Sequence, residues 1–100
     1  MAYHIEFSPE ARKHFAALHA GQQATLRNQV LLQLSHQPGV ESMHRRRLRP
    51  NWLAAYRLRV GELRVYYDLI EGRDALVLAK AVGRKVRERV LIGGEEIDLS

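Results

Sequence analysis

The stretch YRLRVGELRVYYDLI, Tyr56 to Ile70, reads as two strands joined by a tight turn. Tyr56, Leu58 and Val60 alternate with Arg57 and Arg59, the period of a strand with one buried face. Gly61-Glu62 suits a two-residue turn, glycine in the first position favouring the II′ type, and Leu63 to Ile70 forms the returning strand. Such a turn fixes the pairing. Val60 then faces Leu63, Arg59 faces Arg64, Leu58 faces Val65, Arg57 faces Tyr66 and Tyr56 faces Tyr67. One side of the ribbon gathers Tyr56, Leu58, Val60, Leu63, Val65 and Tyr67; the other gathers Arg57, Arg59, Arg64 and Tyr66. The apolar side needs a cover, and the N-terminal part of the chain supplies one.

Tyr3 to Phe7 alternates as a short strand. Ser8 and Pro9 read as the N-cap and first residue of a helix, with Glu10 near its positive end. Ala11, Phe15 and Leu18 supply its apolar stripe, which Gly21 is expected to interrupt. A second helix is expected from about Gln22 to Gln37, with Leu26, Val30 and Leu34 in register and Pro38-Gly39 closing it. Val40 to Pro50 has no clean period, and Pro50 disfavours helical geometry at Arg49. After a turn at Glu71 to Asp74, Ala75 to Val82 is apolar at nearly every position, which fits a central strand covered on both sides or a buried helix segment. Gly83 is expected to end it. Val86 to Ile92 reads as a short strand or a turn of helix, and Gly93-Gly94 leads into the acidic tail EEIDLS. The 100 residues fit one α+β domain spanning 1–100.

Charge is distributed unevenly. Of 16 lysines and arginines against 11 acidic residues, seven arginines fall between Arg45 and Arg64, and Arg84, Lys85, Arg87 and Arg89 follow Gly83. This clustering favours a polyanion or an acidic partner. Arg59 opposite Arg64 carries the most information, because two guanidiniums across a ribbon repel unless solvent, a carboxylate or a phosphate compensates. The run RRRLRPN, Arg45 to Asn51, is either a charged loop or a phosphate-binding edge beside the ribbon, formed by Arg45, Arg46, Arg47 and Arg49. Trp52 and Tyr66 can stack on bases if exposed, although Trp52 is expected instead to close one edge of the core.

Five histidines show no metal-ligand spacing, and only His44 lies in a basic tract where it can carry a proton. Cysteine is absent, which removes thiolate chemistry and points to the cytoplasm. No apolar run approaches the roughly 20 residues that span a bilayer, and no membrane partner, cofactor or metal is expected.

Taken as an ordered set, SPEARKHF, RLRVGELRVYYDL and LAKAVGRKVRERVLIGG resemble the RelE/ParE toxin superfamily of type II toxin-antitoxin systems over almost the whole chain. The resemblance implies an N-terminal strand and helical hairpin packed on a twisted, mainly antiparallel sheet. It implies either a ribosome-dependent mRNA endonuclease or, in the ParE-like branch, a DNA gyrase inhibitor, each neutralised by a cognate antitoxin. For the endonuclease, a ribose 2′-hydroxyl attacks the adjacent phosphate. Arg64 matches the family's arginine after the Gly turn and is assigned to the pentacoordinate phosphate. Arg57 matches a catalytic lysine, and Lys85 a second catalytic arginine acting on the leaving group. Arg45, Arg46, Arg47, Arg49, Arg59, Tyr66, Arg84 and Arg87 are then RNA or phosphate contacts. Leu91 stands where many nuclease members have a base-stacking tyrosine, which motivates the alternative of a non-nucleolytic toxin or binding module.

Overall fold

The computed structural model describes residues 2–72 and 74–99; Arg73, within the expected turn after Ile70, lies outside the described residues. The chain forms β1 (His4–Phe7), α1 (Pro9–Ala16), α2 (Ala20–Leu34), β2 (Arg45–Arg47), β3 (Tyr56–Val60), β4 (Leu63–Ile70), β5 (Leu76–Val86), β6 (Arg89–Ile92) and β7 (Glu95–Ile97). The six strands from β2 to β7 follow one another across the sheet as antiparallel neighbours, and β1 lies parallel to β5. The architecture is α+β.

Local chemistry explains where the helices begin. Ser8 Oγ accepts the Ala11 N–H at 3.1 Å, and Pro9 occupies the first turn, where its missing donor costs nothing. The break between the helices falls at Ala17 to His19 rather than at Gly21. His19 caps α2 through a reciprocal pair, its Nδ1 accepting the Gln22 N–H while Gln22 Oε1 accepts the His19 N–H. Gly21 therefore sits inside the first turn of α2. The helix stops at Leu34, short of the expected Gln37. Gln23 Nε2 donates to the carbonyls of Phe15, at the end of α1, and Leu18, in the connection that follows, and so ties the hairpin shut.

Leu26, Val30 and Leu34 of α2 pack with Leu58, Val65, Tyr67 and Val77 of the sheet to form the main core. Tyr56 and Tyr67 stack across β3 and β4 with ring centroids 5.3 Å apart, and the buried Tyr67 hydroxyl donates to the Pro38 carbonyl at 2.6 Å. Truncating one of the fully buried leucines to alanine removes about 2–5 kcal/mol of stability. A smaller cluster of Leu53, Ala54, Tyr66 and Ala81 lies on the other face of the sheet.

The β3–β4 register is the one the turn dictates, from Tyr56 opposite Tyr67 to Val60 opposite Leu63. Gly61 has φ of 58°, and Glu62 has no positive φ, as a II′ turn requires. The charged run without a period proves to contain a strand, because Arg45 to Arg47 pair with Leu58 to Tyr56. The apolar run is a strand rather than a helix, and it continues through Gly83 to Val86. Residues Arg87 and Glu88 form the tip of the next hairpin, and the acidic tail contributes the unforeseen β7.

The 11-residue strand β5 organises the sheet. Its first part pairs with β1 through Ala79, and its last part with β6 from Gly83, leaving Lys80 to Val82 without a strand on that side. Helix α1 fills the gap with side chains. Ser8 Oγ donates to the Lys80 carbonyl at 3.2 Å, and His14 Nδ1 accepts the Val82 N–H at 3.2 Å. On its opposite side β5 carries one extra residue: Tyr66 pairs with Ala81 and Tyr67 with Ala79, so Lys80 is bulged out. The bulge reverses the alternation, placing Val77 and Ala79 under the helices but Ala81 on the far face.

An imidazole that accepts a backbone hydrogen bond at Nδ1 must leave that nitrogen unprotonated. Partial burial lowers the His14 pKa, opposed by the nearby Glu10 carboxylate. The folded state thus binds the His14 proton less readily than the unfolded chain, whose imidazole titrates near 6.5. Stability from this group is complete above that value and declines as pH falls towards the lower folded pKa. Urea unfolding at pH 7.5 and pH 5.5, about one unit either side of 6.5, is expected to show a smaller loss of stability on acidification in His14→Gln than in wild type.

Candidate functional site

Register and pleat decide which cations share a face. Residues directly opposite one another across antiparallel strands point the same way. Arg46 pairs with Arg57, and Arg57 with Tyr66, which pairs with Ala81; Arg59 pairs with Arg64, and Arg64 with Gly83. Lys85 follows Gly83 by two residues on β5 and faces the same side. Arg46, Arg57, Arg59, Arg64 and Lys85 therefore emerge on the face away from the helices. Because Lys80 is bulged out, Lys85 joins this strip and Arg84 does not.

The members differ in freedom. Arg64 is 6% exposed and lies back over the turn, its Nη1 donating to the carbonyls of Gly61 at 2.8 Å and Leu63 at 2.9 Å. Arg57 is half-buried, and its Nε is buried with no hydrogen-bond partner. Burial lowers the pKa of both guanidiniums; the adjacent arginines lower each further, while Tyr66 opposes the shift. An arginine retains its charge under such pressure. Arg46, Arg59 and Lys85 are exposed, with Arg59 Nη2 donating to the Met43 carbonyl at 3.3 Å.

Among the described residues neither Arg57 nor Arg64 is paired with a carboxylate. The ion pairs Lys80–Asp68 and Arg89–Glu96 involve neither of them. Like charges placed together on a sheet repel, and a buried donor without an acceptor costs about 1–3 kcal/mol. A multivalent anion over the strip would relieve both costs. The floor beside the cations is small and apolar. A Cβ on Gly83 would come within 3.0 Å of the Leu91 carbonyl oxygen and the Ile92 side chain, so this close approach between β5 and β6 requires glycine.

Other expected contacts lie elsewhere. Arg45 and Arg47 project to the helix side, opposite Leu58 and Tyr56. Arg45 donates from Nε to the Val40 carbonyl and from Nη1 to the Gln33 carbonyl and Oε1, which makes it a structural clamp between β2 and the end of α2. Arg47 lies over the Tyr56 ring and donates to its hydroxyl at 3.1 Å. Arg84 also faces the helices, opposite Leu63. Arg87 sits at the β5–β6 tip with φ of 58°, and Arg49 lies on the loop after β2 with its carbonyl bonded by Asn51.

Three aromatic or apolar expectations change as well. Tyr66 is 2% exposed, so its ring is part of the sheet floor rather than a stacking surface. Burial raises its hydroxyl pKa, while Arg57 and Arg64 pull in the opposite direction. Leu91 pairs with Arg84 and points to the helix side; Val90 and Ile92 are the β6 residues on the cationic face. Trp52 is 67% exposed and closes no core edge. Sequence reasoning missed the apolar floor of Ala81, Gly83 and Ile92, because an almost uninterrupted apolar run carries no sign of the switch in side-chain alternation at Lys80.

Among the described residues no cluster of three or more His, Asp or Glu side chains could hold a metal ion, and no helix is long and apolar enough to cross a membrane. The strip can neutralise and orient a phosphodiester. His44 lies on the bend that leads into β2, with its carbonyl accepting the Arg59 N–H.

Replacing Arg57 by methionine is expected to separate stability from binding. Removing the orphaned donor should raise unfolding free energy by about 1 kcal/mol in chemical denaturation. Affinity for a single-stranded polyanion should fall, with the slope of log K against log salt reduced by about 0.7 per lost phosphate contact. No protein-family model matches the sequence, and comparisons with curated proteins and with solved structures gave no match.

Proposed function

We propose that the cationic face binds the phosphodiester backbone of RNA and that the protein is the toxin of a type II toxin-antitoxin system, a RelE-like, ribosome-dependent mRNA endonuclease. The observation that carries this reading is the row of Arg46, Arg57, Arg59, Arg64 and Lys85 on one face, with Arg57 Nε buried and unpartnered. The order of a strand, two helices and a mainly antiparallel sheet agrees with the RelE/ParE-like fold that the sequence resembles.

In this reading Arg57 and Arg64 contact the non-bridging oxygens of the scissile phosphate. As the 2′-oxygen attacks, negative charge builds on those oxygens, and fixed guanidiniums that need not reorganise stabilise it best. Lys85, at the open end of β5, stands by the departing 5′-oxygen and can supply a proton to it. Arg46 and Arg59, on the adjoining strands, bind flanking phosphates. The strip supplies no carboxylate base, so removal of the 2′-hydroxyl proton falls to His44 or to the ribosomal complex.

The cognate antitoxin has a site of its own. A groove of about 500 Å³ runs between β1 and the helices, lined by Ile5, Phe7, Phe15, Val30 and Leu31, with Arg12 and Arg27 beside Glu6 at its walls. Apolar lining flanked by cations suits an amphipathic, acidic segment that folds on binding.

A second reading is favoured by the orientation of Leu91 and by lysine at position 85. The cationic face then carries no stacking tyrosine at that position, and a lysine without arginine's bidentate fork stands where the resemblance implies a second catalytic arginine, which fits a non-nucleolytic toxin such as a ParE-like inhibitor of DNA gyrase. Expression followed by mapping of RNA ends distinguishes the two. New cleavages within A-site codons are expected, with Arg57→Ala and Lys85→Ala relieving growth arrest while the proteins remain folded. Intact mRNA accompanied by trapped gyrase would establish the alternative.

A further inference from the structure

Trp52 is the only tryptophan in the chain and is 67% exposed. Its position does not come from a loose loop. Asn51 Oδ1 accepts the N–H groups of both Leu53 and Ala54, while Asn51 Nδ2 donates to the carbonyls of Arg49 and Ala54. The two residues that follow Trp52 are buried against Tyr66 and Ala81, on the cationic side of the sheet. The backbone thus holds the indole at the border of that face.

The ring itself is also fixed. Its Nε1–H donates to the Asp98 carbonyl at 3.1 Å, which satisfies the one polar atom of the indole and leaves a π-surface to offer. Beside it lies a cavity of about 310 Å³ lined by Pro50, Leu53, Asp68 and Lys80 among others. The Asp68 carboxylate in that cavity is already engaged, Oδ1 by the Ala55 N–H at 2.7 Å and Oδ2 by Lys80 Nζ at 3.4 Å. Asp68 follows Tyr66 by two residues on β4, about 7 Å along the strand, so the cavity continues the line of the cations.

We propose that Trp52 is a stacking platform for a nucleobase, and that the face accordingly takes single-stranded nucleic acid, with phosphates on the arginines and a base on the indole. This inference rests on the phosphodiester reading of the strip. Stacking on an aromatic ring suits single strands, whose bases can splay out, and every base has a π-face to offer. The surroundings favour a nucleic acid over an apolar protein surface, because the half-exposed Lys80–Asp68 ion pair borders the ring where a protein hot spot would sit in a packed, desolvated pocket.

Trp52 reports on its own occupancy. Intrinsic fluorescence of the full chain would be followed during titration with a short oligoadenylate and, separately, with inorganic polyphosphate of similar charge, with binding of both measured by calorimetry. Oligoadenylate is expected to quench the emission; polyphosphate is expected to bind without quenching. Trp52→Ala should weaken oligoadenylate about tenfold and leave polyphosphate unchanged, whereas Trp52→Phe, which keeps a ring, should retain most of the affinity. If oligoadenylate binds without quenching and equally well to Trp52→Ala, or if polyphosphate quenches as strongly, the platform is overturned while the strip stands. If neither polyanion binds, the strip reading falls, and the platform with it.

Discussion

The two-residue turn at Gly61-Glu62 is the constraint on which the rest of the molecule depends. By fixing which residue of β3 faces which residue of β4, it sends Tyr56, Leu58, Val60, Leu63, Val65 and Tyr67 towards the helices and Arg57, Arg59 and Arg64 to the opposite face. A slip of one residue would exchange the two sets, burying arginines beneath the helices. Hydrophobic burial and charge solvation therefore select the same register, and Gly61, with its positive φ, lets the chain reverse there.

That agreement has a price on the far face. Repulsion between neighbouring cations and the desolvation of Arg57 are sustained by the packing of Leu58, Val65 and Tyr67 behind them. Arg64 is partly compensated by the turn carbonyls; the Nε of Arg57 is not. The sheet thus presents positive charge in a preset arrangement, with little left to reorganise when an anion arrives.

The β3–β4 ribbon and the shared side of Arg57, Arg59 and Arg64 were legible because a strict period and a turn leave one pairing. The helical hairpin was legible to within a few residues; His19 escaped notice as a cap because its imidazole, not a hydroxyl or carboxylate, accepts the Gln22 N–H. The sides taken by Arg45 and Arg47 were hidden, since alternation in a run of like residues has no visible phase until the partner strand is known. Trp52 was expected to close one edge of the core. The side chain of Asn51, which bonds the loop to itself, outweighs that tendency. The allocation of Arg84 and Lys85 to opposite faces was illegible for a related reason: it depends on an extra residue in β5 that no local pattern announces.

Lys80, the bulged residue, is a position that the ladder can spare. Excising its codon would leave Ala79 opposite Tyr67 and Ala81 opposite Tyr66 as consecutive pairs of a regular pleat, so that Val82 and Arg84 stay on the helix side and Lys85 stays with the cations. The Lys80–Asp68 ion pair would be lost with it. This segment of β5 therefore tolerates a one-residue shortening that would flip the faces of a strand paired without a bulge.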